Sequence, residues 1–206
     1  MGIRSLRTAS ISTGVKRSKV WDQSAVYSPT AYDSISTVTL TGSQSTVTFS
    51  SIPSTYKHLQ IRAIGRTNRT NYSVEQVRIR LNSDSGNNYA THQLGGDGGS
   101  PYSFTPGTPS SYMLIGQIGT SIAGTDTSGI FVSDILDYTS ANKNKTIRTL
   151  AGVHPTAALS GTVYGATTLS SGVWMNSADA ISSITLSTEL GGNFTSGSFA
   201  LYGIKG

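Results

Sequence analysis

Lys57, Arg62, Arg66, Arg69, Arg78 and Arg80 lie close together in a stretch whose only acid is Glu75. Guanidinium groups hold phosphates and carboxylates through forked hydrogen bonds, so a cluster of this kind suits anion recognition. If the two strands that carry them pair, Arg62 and Arg66 share a face with Arg78 and Arg80. Nucleic-acid grooves interleave such residues with stacking aromatics, and here only Tyr72 is nearby. A solvated sheet face, or a contact with another subunit or partner, is therefore preferred over nucleic acid. A second basic group is Arg4, Arg7, Lys16, Arg17 and Lys19, with no acid before Asp22. Beyond residue 19 the chain carries ten Lys/Arg and ten Asp/Glu, so the formal +5 belongs to the head alone. A basic, Ser/Thr-rich head has too little apolar surface to bury itself and reads as an extended arm that docks on an acidic protein surface.

Patterns that would carry catalysis are missing. Gly119-Thr-Ser-Ile-Ala-Gly124 falls one residue outside the G-x-S-x-G elbow that exposes a nucleophilic serine. No P-loop is present to wrap phosphates. His58, His92 and His154 are too dispersed to form a metal-binding pair, and with no cysteine there are no thiolate sites, disulfides or cysteine nucleophiles. Asn82, Asp84, Asn87 and Asn88 offer oxygens but only one carboxylate, so a hairpin turn is the better reading than a calcium loop. Asp134 and Asp137 are spaced to opposite faces of one strand, unlike a glycosidase pair. No catalytic residue, metal or cofactor is expected.

The elements that must position these residues are strands. Charged residues make up 12% of the chain against a usual ~25%, and Ser, Thr, Gly and Asn fill the difference. Ten Tyr, five Phe and two Trp argue against disorder. From Tyr32 onward the pattern has period two. Leu59, Ile61 and Ala63 point one way while Gln60, Arg62 and Ile64 point the other, and Val77, Ile79 and Leu81 oppose Arg78 and Arg80. Ten to twelve short strands separated by turn residues, with no helical stripe, predict an all-β antiparallel β-sandwich, the jelly roll being the leading version. The expected division is 1–30 as basic arm and tether and 31–206 as the sandwich. No apolar run reaches the ~18 residues of a membrane span, and the head lacks the apolar stretch of a signal peptide.

One segment departs from the alternation. Residues 95–111 hold five Gly and three Pro and predict a long loop of the kind that often carries function. Tyr102, Phe104 and Tyr112 in or beside it are candidates for receptor contact, unless they fold back to close the end of the sandwich.

Several stretches together have a familiar character. They are Phe49-Ser-Ser-Ile-Pro-Ser-Thr-Tyr-Lys-His-Leu-Gln-Ile-Arg62, Leu81-Asn-Ser-Asp-Ser-Gly-Asn-Asn-Tyr89, Asp134-Ile-Leu-Asp-Tyr138 with Asn142-Lys-Asn-Lys-Thr146, Ser171-Gly-Val-Trp174, Ile181-Ser-Ser-Ile-Thr-Leu186 and Phe199-Ala-Leu-Tyr-Gly-Ile-Lys205. As a set, over residues 30–206, the chain resembles small virion structural proteins of tailed bacteriophages, among them tail-fibre and minor structural proteins. The resemblance implies a non-enzymatic virion component made in the bacterial host cytoplasm, homo-oligomeric and in one common arrangement trimeric, without cofactor. Its partners would be other virion proteins and a host-surface glycan or protein. Three functions follow as expectations: a tail-associated fibre or adhesin unit, a capsid decoration protein, and a virion enzyme acting on carbohydrate.

Overall fold

The structure, a computed structural model, describes residues 31–107, 109–157 and 165–205. The basic arm and its five docking candidates lie outside the described residues. Among those described there is no helix, and the order is β1 (Tyr32–Thr39), β2 (Thr46–Phe49), β3 (His58–Thr67), β4 (Val74–Leu81), β5 (Tyr89–Gly96), β6 (Pro101–Phe104), β7 (Met113–Gly119), β8 (Gly129–Ile135), β9 (Lys145–Val153), β10 (Ala166–Trp174), β11 (Ile184–Thr188) and β12 (Phe194–Ile204).

These strands form a β-sandwich of unequal layers. The larger runs β1-β12-β3-β8-β9-β10-β5-β6, and the smaller runs β2-β11-β4-β7. Every extended pairing is antiparallel, and among the described strands the two layers are bridged by a single parallel pair, Arg66 with Gly119, while Gln44 ahead of β2 pairs with Phe194 of β12. The sandwich class is as the alternation predicts. The jelly-roll version finds no support in a layering of four strands over eight.

The alternation drives the layering. Leu59 and Ile61 of β3, Val77 and Ile79 of β4, and Leu201 of β12 are wholly buried. Burying a side chain of this size stabilises by roughly 1.5–3 kcal/mol. Phe194 packs edge-on to Phe199 with centroids 5.2 Å apart, and Phe131 closes on Phe199 at 6.4 Å. The centre is tight enough to demand glycine. A Cβ on Gly116 of β7 would stand 2.5 Å from Cβ of Ala151 on β9, and its φ of +141° is one that L residues rarely adopt. This glycine adjoins the register shift opposite Val77 and Arg78, where Ile115 is the extra residue, a bulge that bends β7.

Two segments differ from expectation. Residues 95–111 are not one open loop: β5 continues to Gly96 and returns as β6, around a turn in which Asp97 accepts from the amides of Gly99 (2.8 Å) and Ser100 (2.7 Å). Residues 169–172, which the alternation leaves between expected strands at 162–168 and 173–176, lie inside the single strand β10. Gly172 is required there because an added Cβ would meet Sδ of Met113 at 2.6 Å and the Ala90 carbonyl at 3.0 Å.

Candidate functional site

Along β4 the residues Glu75, Val77, Ile79 and Leu81 face the core, which turns Gln76, Arg78 and Arg80 outward. The pairing of β11 with β4 sets Thr185 opposite Arg80 and Ser187 opposite Arg78, and β2 adds Thr48 and Thr46 in the same two rows. The outer face of the small sheet is thus a grid of two arginines and four hydroxyls. It floors a hollow of about 310 Å³ lined by Thr46, Arg78, Arg80, Thr185, Ser187 and Asn193 among others, with no carboxylate in its lining.

The two arginines differ in how they are held. Arg80 donates from Nε to the Ser111 carbonyl at 2.9 Å and from Nη2 to Ser111 Oγ at 3.3 Å. Arg78 lies with its guanidinium 4.9 Å from the ring centroid of Tyr112, and its Nε is buried with no hydrogen-bond partner. Tyr112 in turn donates to Glu189 at 3.4 Å; burial and then the Glu189 charge raise its phenol above the usual range. Arginines that line a hollow together with hydroxyls are suited to a carboxylate, phosphate or sulfate, because both groups donate to anionic oxygens.

The expected single arginine face does not form. β3 and β4 belong to different layers, so "outward" on one is opposite to "outward" on the other. Sequence alternation tells core from surface but not which surface. Arg62 lies on the large sheet between the rings of Tyr32 (4.9 Å) and Tyr202 (5.0 Å) and donates to Gln60 at 2.7 Å. Arg66 spends its guanidinium on the loop after β7, donating to the carbonyls of Ser121 (2.9 Å), Thr125 (2.6 Å) and Gly124. Arg66 therefore works as an internal tie.

The three receptor-loop aromatics also part company. Tyr102 stands opposite Gly95 in the β5–β6 pair and lies against it, so closely that a Cβ on Gly95 would fall 2.5 Å from its ring. Phe104, opposite Gln93, is 42% exposed at the sheet edge. Tyr112 belongs to the Arg78 site.

The remaining polar groups hold the fold. Ser121 donates to the Arg69 carbonyl at 2.6 Å, and Asp134 takes Gln60 at 2.7 Å and Arg148 at 3.4 Å. Asp137 lies in the turn after β8 with φ +48° rather than on the strand, between Lys143 (3.1 Å) and Lys57 (3.4 Å). His58 accepts from the Asp137 amide at 3.0 Å. Among the described residues no group of three His, Cys, Asp or Glu is placed to hold a metal ion. Two buried charges escape a first reading of the sequence: Glu75, bound to Arg69 (3.3 Å) and the Leu190 amide (2.9 Å), and Lys145, donating to the Asn176 carbonyl at 3.0 Å. Burial lowers Lys145 below the usual lysine range. Their signal is positional, since each falls on the inward phase of its strand beside Val77 or Ile147.

No family model, curated protein or solved structure matches this chain.

Proposed function

We propose that this chain is a non-enzymatic structural unit of a bacteriophage virion, a tail-associated fibre or adhesin subunit whose small sheet binds anionic groups of the host surface. The observation that carries the reading is Arg78 beside Arg80 in one hollow lined by hydroxyls, with no carboxylate in its lining. Host surfaces rich in uronic acids and phosphates present the complementary charge, and Arg with Ser/Thr supplies charge and hydrogen bonds together. The resemblance of residues 30–206 to phage virion proteins supports the setting. In this reading the basic head, with Arg4, Arg7, Lys16, Arg17 and Lys19, docks the unit on an acidic virion subunit.

Antibody labelling of intact particles tests the placement. Signal at the tail supports an adhesin. Signal over the head replaces it with a capsid decoration role, and absence from purified particles refutes a virion role.

A further inference from the structure

The outward face of the large sheet is apolar where solvent-facing strands are usually polar. One register row crosses four neighbouring strands as Leu94, Leu169, Leu150 and Val132. These side chains are 59%, 46%, 60% and 39% exposed. The next row along the same strands is Gly96, Thr167, Gly152 and Ile130. It forms the floor of a hollow of about 690 Å³. A ridge of leucines therefore runs beside a row that is hollow at Gly96 and Gly152 and rises at Ile130, which is 56% exposed.

The trough glycines have no explanation among the described residues. Neither Gly96 nor Gly152 has a positive φ, and a Cβ on either would come no nearer than 3.9 Å to another group. Glycine within a strand weakens it and often marks the close approach of something else. Gly116 and Gly172, by contrast, are fixed by neighbours within the fold.

We infer that this face is a two-fold interface with a second copy of the chain. A dyad lying parallel to the two rows and between them brings each ridge over the other trough. Leu94 then faces the partner's Gly96, and Leu150 faces the partner's Gly152. Such an isologous contact needs a self-complementary patch, which a ridge and a trough side by side provide. The strands of the two copies come to lie roughly aligned, as in sheet-on-sheet packing at ~10 Å. The four strands at ~4.8 Å spacing over ~20 Å of their length cover ~380 Å² in plan. That is about half of the ~800 Å² per copy of a standard interface, and side-chain relief and the rim add the balance. The inference stands independently of the anion site, which lies on the opposite sheet.

Light scattering of the full chain at about 50 µM should give the mass of two chains. Leu150→Glu, at an exposed site, and Gly152→Leu, which fills the trough with a group the monomer has room for, should each raise the dissociation constant at least tenfold, with the folded circular-dichroism spectrum retained. Because the chain has no cysteine, mixing Leu150→Cys with Gly152→Cys protein should produce a disulfide between copies. A wild-type mass of one chain or three, or a dimer indifferent to both ridge and trough substitutions, overturns the proposal. A one-chain mass with Leu150→Cys cross-linking to a cysteine placed in residues 1–30 would assign the face to the head of the same chain instead.

Discussion

Trp174 donates its indole N–H to Oδ2 of Asp84 at 2.7 Å, tying the end of β10 to the turn between β4 and β5. The same carboxylate takes Asn88 at 2.9 Å and the Gly86 amide at 2.8 Å. Beneath it Tyr89 stacks on Trp174 with centroids 6.4 Å apart and receives the Leu81 amide at 3.1 Å, and burial pushes its phenol up to about 12. The Asn/Asp-rich turn is thus a structural knot that seats the ends of three strands.

Burial by itself raises the Asp84 carboxyl, but the hydrogen bonds from Trp174, Asn88 and Gly86 outweigh it and hold it below the ordinary range. The unfolded chain then binds the proton more tightly than the fold does. The stabilisation is complete above pH ~4, the ordinary Asp value, and is lost as pH falls through the lower folded value. Asp84→Asn should cost about 1–2 kcal/mol at pH 7, a figure kept low by partial exposure, and its deficit against wild type should shrink below pH 4. Urea unfolding from pH 7 to pH 3 checks both parts.

Glu75 has a fully buried side chain and forms an ion pair with Arg69 at 3.3 Å. Removing one member of a buried pair costs about 3–5 kcal/mol, whereas removing both is far milder. Arg69→Met should therefore destabilise strongly, and Glu75→Gln in the same chain should recover part of the loss. A double-mutant cycle by chemical denaturation measures the coupling. A strictly additive result would show that the pair does not interact.

Gly116 and Gly42 make a matched contrast. Gly116→Ala places a Cβ against Ala151 in a left-handed conformation and should cost about 2–4 kcal/mol. Gly42→Ala has nothing within 4 Å and should change stability by less than about 1 kcal/mol, in the stabilising direction if its backbone suits alanine. Thermal unfolding of the two variants separates them.

The strands were readable because inward residues repeat at every second position, as Leu59-Ile61-Ala63 and Val77-Ile79-Leu81 do. The same phase marks Lys145 and Glu75 as buried and Leu94, Leu150 and Leu169 as exposed, against what their chemistry suggests. Partnership was not readable. β3 and β4 follow each other in sequence yet sit in opposite layers, because non-local pairing depends on the fit of whole faces. That is why Arg62 and Arg66 separate from Arg78 and Arg80. The break at 169–172 does not form for a related reason: Gly172 answers to Met113 on another strand and not to a local turn.

The proposed function turns on Arg78 acting as an anion ligand. The direct test is calorimetric titration of the full chain with an oligogalacturonate and with its neutral methyl ester, for wild type, Arg78→Gln and Arg62→Gln. Binding of the acid form alone, weakened at least tenfold (about 1.4 kcal/mol) by Arg78→Gln and by raised salt but not by Arg62→Gln, is the predicted result. Equal binding of the methyl ester, or acid binding unchanged by Arg78→Gln, would contradict it.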